Sequence, residues 1–282
     1  MKDLNNIKIG CIGCGTMGGA VIKAVAASYN PDNIYVSAAH YDKVKAFADS
    51  TKVNALKSNL EVAQRSDYIF LAVKPAYVKE VLLEIKPALT EEKVIISMAA
   101  GLTINTLYSA IKGSDLSASE EKIVTPHILR IMPNLPATVG QAMTAIAPGS
   151  QATEEEIETV KKLLECTGKA EVVPEKLMDG VTAVSGSGPA YAFLFIEALA
   201  DAAVKFGMPR KQAYIYAAQT LKGAATLALE DGRSISELKD AVCSPSGTTI
   251  EGVIALEKKG FRGAVIDAAT AAYNKSIDLG RK

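Results

Sequence analysis

Tryptophan is absent from this chain of 282 residues, and the other aromatics are only six Phe and ten Tyr. Histidine occurs just twice, at His40 and His127. Cysteine is sparse too: Cys11, Cys14, Cys166 and Cys243 give no disulfide framework, which predicts a reducing, cytoplasmic setting. Cys11 and Cys14 form a C-x-x-C pair, but no second Cys/His pair is spaced to complete a metal site, so neither zinc nor a redox role is expected there. Net charge is absent as well, with 31 basic and 31 acidic residues, which excludes the electrostatic footprint of a nucleic-acid or membrane-surface binder. Nothing at the N-terminus resembles the apolar core of a secretory leader. The charge-free run Gly180 to Ile196 is short for a membrane span and carries Ser185-Gly-Ser-Gly-Pro189, so it reads as the buried helix of a soluble protein.

What is present divides into two textures. Up to Pro174, short apolar runs alternate with helical patterns. Candidate strands are Ile7–Ile12, Ile34–Ser37, Tyr68–Val73, Val94–Met98, Ile128–Met132, Ala142–Ala147 and Ala170–Val173. Helices are expected at Met17–Ser28, Tyr77–Ile85 and Glu154–Cys166, among others. Such alternation predicts a largely parallel sheet covered by helices. After Pro174 the strands stop, and helices are expected over Lys176–Phe206, Arg210–Leu229, Ile235–Val242, Thr248–Lys258 and Phe261–Leu279. The fold class is therefore α/β followed by all-α, with a Rossmann-type domain over 1–174, which its glycine turn marks as dinucleotide-binding, and a helical domain over 175–282, for which family resemblance implies dimerisation and substrate binding. Small residues at helical spacing (Ala198, Ala202, Ala203; Ala217, Ala218; Ala224, Ala225) permit close helix approach, either within one subunit or in a homodimer. So few and so apolar a set of helices favours the homodimer.

The chain opens on Lys8-Ile-Gly-Cys-Ile-Gly-Cys-Gly-Thr-Met-Gly-Gly-Ala20, a strand, a glycine turn and a helix start. Gly13, Gly15 and Gly18 complete G-x-G-x-x-G, whose glycines permit the tight turn, the approach of a pyrophosphate and close helix–strand packing. Ile12, Gly13, Cys14, Gly15, Thr16 and Met17 are accordingly candidate cofactor contacts. The second strand ends Val36-Ser-Ala-Ala-His40 without the acid that grips an NAD ribose, which favours NADP(H), with NAD(H) as the alternative. Ser37 is placed to bond a 2′-phosphate, and His40 and Lys43 to add positive charge. Ala72, Val73, Lys74 and Pro75, and Ala100 within Ser97-Met-Ala-Ala-Gly101, fall where sheet strands end and face a crevice.

A second anion-binding signal lies at Ala241-Val-Cys-Ser-Pro-Ser-Gly-Thr-Thr-Ile-Glu251. A hydroxyl-rich turn feeds an amphipathic helix, whose first N–H groups have no intrahelical partner. The same pattern fits an ordinary N-cap.

Taken together, the chain resembles the pyrroline-5-carboxylate reductase family. The resemblance rests on Gly13-x-Gly15-x-Met17-Gly18, Ala72-Val-Lys-Pro75, Ser97-x-Ala-Ala-Gly101, Met132-Pro-Asn-x-Pro136, Ser185-Gly-Ser-Gly-Pro-Ala-Tyr-Ala192 and Ser244-Pro-x-Gly-x-Thr249, in order along nearly the whole chain. It implies reduction of the cyclic imine (S)-1-pyrroline-5-carboxylate to L-proline by NAD(P)H, in homodimers that intertwine through the helical domains and sometimes form larger rings. It further implies that Ser37 lies nearest the 2′-phosphate and Asn59 by the adenosine ribose. Gly247, Thr248 and Thr249 take the substrate carboxylate and ring nitrogen, and Ser185 lies at the mouth of the site. Two departures stand out: Ser246 where Gly is common, and Ala38 where some members carry a second Ser.

The chemistry suits these residues. A protonated imine already accepts hydride, so positioning outweighs acid catalysis, and Thr249 is the candidate catalytic contact. Two rivals fit less well. A β-hydroxyacid dehydrogenase would place a Lys early on the first long helix, and Pro189–Ile196 has none. A non-catalytic NADP-binding regulator has no need of the second anion cradle.

Overall fold

Four-residue runs such as Tyr-Ile-Phe-Leu offer no polar face to water, so they form strands only where helices cover both sides. A computed structural model describes residues 3–112 and 125–280; the outer limits of the two expected domains, residues 1 and 282, lie outside these. Among the described residues are eight strands: β1 (Ile9–Ile12), β2 (Ile34–Ser37), β3 (Asn54–Ala55), β4 (Tyr68–Leu71), β5 (Val94–Ser97), β6 (His127–Met132), β7 (Ala142–Pro148) and β8 (Gly168–Val172). Between and after them run α1 (Thr16–Ser28), α2 (Tyr41–Thr51), α3 (Asn59–Arg65), α4 (Pro75–Ile85), α5 (Ile104–Lys112), α6 (Glu154–Glu165), α7 (Met178–Val181), α8 (Gly188–Lys205), α9 (Arg210–Glu230), α10 (Ile235–Val242), α11 (Thr248–Lys258) and α12 (Phe261–Gly280).

The strands form one sheet in the order β3-β2-β1-β4-β5-β6-β7-β8. Neighbours run parallel except β6 and β7. Chain order reverses between β1 and β4, the place where open parallel sheets of this kind hold their ligands. Alternate residues feed two cores. Ile9, Cys11, Tyr68, Phe70 and Ile96 pack under α1, α2 and α6; Ile12, Ile69, Leu71 and Ile95 pack under α3, α4 and α5. Helix starts are chemically marked. Thr153 and Glu156 form a capping box at α6, and Ser234 and Glu237 another at α10.

Two compact units result: Met1–Gly186 with Ala272–Lys282, and Ser187–Ala271. The sequence places the boundary at 174/175, where the strands stop. The first unit instead keeps α7 and the following π-helical turn Thr182–Gly186, because Met178 and Val181 pack with Met132, Ala145 and Ala147 of the sheet. It also takes the end of α12, where the Ser276 hydroxyl donates to Asp179 (2.6 Å).

In the second unit the buried side chains are Ala200, Ala213 and Ala217, where α8 and α9 meet. Expectation and structure differ here. The Gly180–Ile196 run reads as a buried helix, yet Phe193 and Leu194 are 56% and 68% exposed. Ala198, Ala218, Ala224 and Ala225, expected to mediate close packing, are exposed as well. A single copy of these helices has too few elements to cover itself. By length and hydropathy the helical stretch Glu175–Lys205 is also the one candidate membrane span among the described residues.

Candidate functional site

At the switch point the β1–α1 turn is set by backbone bonds. The N–H groups of Gly13 and Cys14 both donate to the Ser37 carbonyl (2.9 and 3.1 Å), and that of Gly15 to Gly13 (2.7 Å). Gly13 has φ +89°, and a Cβ there would stand 2.6 Å from Val73, so no other residue fits. Behind it α1 packs so closely that a Cβ on Gly18 would meet Ala72 at 2.7 Å. Helix α1 starts without a side-chain cap and without an acid in its first turn. The N–H groups of Thr16 and Met17 are therefore orphan donors, of the kind that attracts an anion. Cys11 is fully buried, and both its hydrogen bond with Cys14 and its burial push its thiol well above the usual range, which makes it inert. Among the described residues no group of His, Cys, Asp or Glu could hold a metal.

On one side of this turn opens a cleft of about 330 Å³, lined by Ile12, Gly13, Asn59 and Val73 with Ala38 and Ala39. The sequence-based candidates Ile12, Gly13, Asn59 and Val73 thus converge. Ser37 does not face the cleft: it is buried, and its hydroxyl donates to Asn59 Oδ1 (2.7 Å). Asn59 Nδ2 donates in turn to Glu84 on α4 (2.7 Å). Because a carboxylate only accepts, this chain fixes the amide orientation. His40 and Lys43 are exposed at the start of α2 and stand outside the cleft lining. Gly15 and Thr16 border a separate cavity of about 450 Å³ between α1, Phe47 and the Ala137–Gly140 turn. Lys74 is exposed and, with Pro75, begins α4. The fit is that of a dinucleotide: a turn admitting close approach, orphan N–H groups, and an adenosine-sized cleft with no acid at the end of β2.

Further along the same edge, Ala100 packs against the cluster of Met132, Ala145, Ala147 and Met178. Ser185 sits nearby in the π-helical turn, and its hydroxyl donates to the Met143 carbonyl (3.2 Å). Asn134 fastens the turn, with Nδ2 3.1 Å from the Ser185 carbonyl oxygen and Oδ1 accepting from Met143 N–H (3.1 Å). Asn134 has no role readable from sequence beyond its place in Met132-Pro-Asn-x-Pro136. Pro189 lies in the first turn of α8, where its missing N–H costs nothing.

In the helical unit, Gly247 precedes α11, which has no side-chain cap. A Cβ on Gly247 would meet Ser244 Oγ at 2.3 Å, and the Gly247 N–H closes a turn onto the Ser244 carbonyl (3.0 Å). Pro245 precedes Ser246, whose φ is +57°, the left-handed region that favours Gly. Neither the Thr248 nor the Thr249 hydroxyl has a hydrogen-bond partner among the described residues. Both are free to bind.

Comparison with known proteins adds independent support. The chain is 46% identical to the pyrroline-5-carboxylate reductase of Escherichia coli (strain K12), over 97% of this chain and 98% of that one. The chain belongs to the pyrroline-5-carboxylate reductase family. A Methanosarcina acetivorans reductase is 41% identical over 99% of this chain and 100% of its own. The family model for pyrroline-5-carboxylate reductase dimerisation matches residues 175–279, and one for coenzyme F420-dependent NADP oxidoreductases matches residues 8–101. The crystal structure of Plasmodium falciparum pyrroline carboxylate reductase with NADP bound superposes with a TM-score of 0.85 at 33% identity, covering 99% of this chain and 100% of that one. The reductase from Coxiella burnetii gives 0.88 at 32%, with the same coverage. The dimerisation match covers the stretch whose apolar helix faces are exposed, which is consistent with homo-oligomerisation.

Proposed function

We propose that the protein is a pyrroline-5-carboxylate reductase, which reduces (S)-1-pyrroline-5-carboxylate to L-proline, the last step of proline biosynthesis. The family likeness over nearly the whole chain carries this reading. NADP(H) supplies the hydride, with NAD(H) as the alternative donor. Ile12, Gly13, Cys14, Gly15, Thr16 and Met17 surround the pyrophosphate. Asn59, backed by Ser37, meets the adenosine ribose. Ala72, Val73, Lys74 and Pro75 line the crevice, and Ala100 lies on the nicotinamide side. Substrate contacts are Ser185, Gly247, Thr248 and Thr249.

The orphan N–H groups at the start of α11 hold the substrate carboxylate. The protonated ring nitrogen donates to the Thr249 hydroxyl oxygen, which turns the imine carbon toward the incoming hydride. The carbon–nitrogen π bond becomes the nitrogen lone pair while a C–H bond forms, and the amine keeps its proton. No strong acid is required, and positioning supplies most of the acceleration. The apolar faces of α8 and α9 pair in a homodimer, with a ring of dimers as the larger assembly, and the setting is cytoplasmic.

The test is oxidation of NADPH by the purified protein, with and without the imine, repeated with NADH. Imine-dependent oxidation that yields proline supports the reading. Folded protein that binds NADPH and leaves the imine unreduced overturns it.

A further inference from the structure

The cleft beside the β1–α1 turn holds a cation that family resemblance does not mark. Lys57, in the loop between β3 and α3, lines it together with Ala38 and Ala39. Its ammonium sits 5.3 Å from the centre of the Tyr41 ring, which steadies the side chain by cation–π attraction. Among the described residues Lys57 is the only Lys or Arg in this lining, and it makes no ion pair. The other charges there belong to Glu80 and Glu84 of α4, and Glu84 is engaged by Asn59 (2.7 Å).

A 2′-phosphate presents only acceptor oxygens, so its partner must donate. Ser37 is buried, and its one hydroxyl proton points at Asn59 Oδ1 (2.7 Å). Ala38 and Ala39 have no side-chain donor, and His40 and Lys43 lie outside the lining. We infer that Lys57, steadied by Tyr41, is the residue that binds the ribose 2′-phosphate and makes this chain prefer NADPH over NADH. The inference rests on the reductase reading and deepens it: cofactor choice comes from the β3–α3 loop instead of the end of β2.

The test is calorimetric binding of NADPH, NADH, adenosine 2′,5′-bisphosphate and 5′-AMP to the full chain. Lys57→Ala should weaken NADPH and the bisphosphate about tenfold and leave NADH and 5′-AMP within about twofold. The unchanged NADH affinity also reports that the variant is folded. Tyr41→Ala should give a smaller loss with the same selectivity. Added salt should erode the preference of the wild type more than that of Lys57→Ala. Unchanged NADPH affinity in Lys57→Ala, or an equal loss in Lys43→Ala, overturns the assignment and leaves the reductase reading standing. Wild-type protein that binds neither NADPH nor the bisphosphate overturns both.

Discussion

Asn134 grips Ser185 from the sheet side, its Nδ2 3.1 Å from the Ser185 carbonyl oxygen and 3.4 Å from the hydroxyl. Ser185 lies in the π-helical turn Thr182–Gly186, and this amide ties its carbonyl to the segment after β6. Asn134→Ala should free the turn, raise KM for the imine and lower kcat, together about tenfold, a loss of roughly 1.4 kcal/mol. NADPH affinity should stay unchanged. A uniform loss of cofactor binding would point to unfolding instead of misplacement of Ser185.

Thr249 is placed to orient the ring nitrogen. Thr249→Ala should reduce kcat by about one to two orders of magnitude, the range for losing one positioning contact. Thr249→Ser should recover most of it. Steady-state kinetics beside NADPH titration separates this from general damage, and full activity in the alanine variant rules the role out.

Ser246 holds a left-handed backbone that an L side chain disfavours. Ser246→Gly should stabilise the turn by up to about 1 kcal/mol. Thermal unfolding checks the sign: an unchanged or lower Tm means that the Ser246 side chain contributes an interaction of its own.

Arg130 is almost completely buried on β6 and bonds Glu175 (2.8 Å), which also accepts the Ile104 N–H (2.8 Å). Glu175→Ala leaves a buried guanidinium unpaired. Since Glu175 is itself a third exposed, the expected cost is about 2 kcal/mol, below that of a fully buried pair. Glu175→Gln keeps both acceptor contacts and should lose less. Denaturant unfolding of the two variants orders them.

Leu194 and Phe193 line an apolar groove of about 530 Å³ on α8 with Tyr214 of α9. Leu194→Glu should shift the protein toward smaller species in sedimentation and lower its thermal stability, because a charge replaces apolar contact that the proposed homodimer buries. An unchanged sedimentation profile would place the subunit interface elsewhere.

The strands were legible because full burial leaves a local trace. Tyr68–Leu71 and residues 94–96 are unbroken apolar runs, and a chain segment buried on both faces tolerates little else. The two-residue β3 carries no such pattern, since it exists only by pairing with β2. Helices α10 and α11 fall at Ile235–Val242 and Thr248–Lys258, the expected bounds, because Ser234 and Gly247 mark their starts. The glycine turn was legible for the same reason: G-x-G-x-x-G encodes backbone geometry directly.

The sequence by itself determined the α/β-then-helical order, the dinucleotide turn and the family, all written in local periodicity and ordered motifs. Tertiary structure alone decided which polar atoms are free. That Ser37 bonds Asn59, that Asn134 holds Ser185, and that Lys57 reaches the cleft are pairings between residues 22, 51 and 16 positions apart, the last to Tyr41. Hydrogen bonds and cation–π contacts depend on where distant segments meet. Residue type and spacing along the chain cannot specify that meeting.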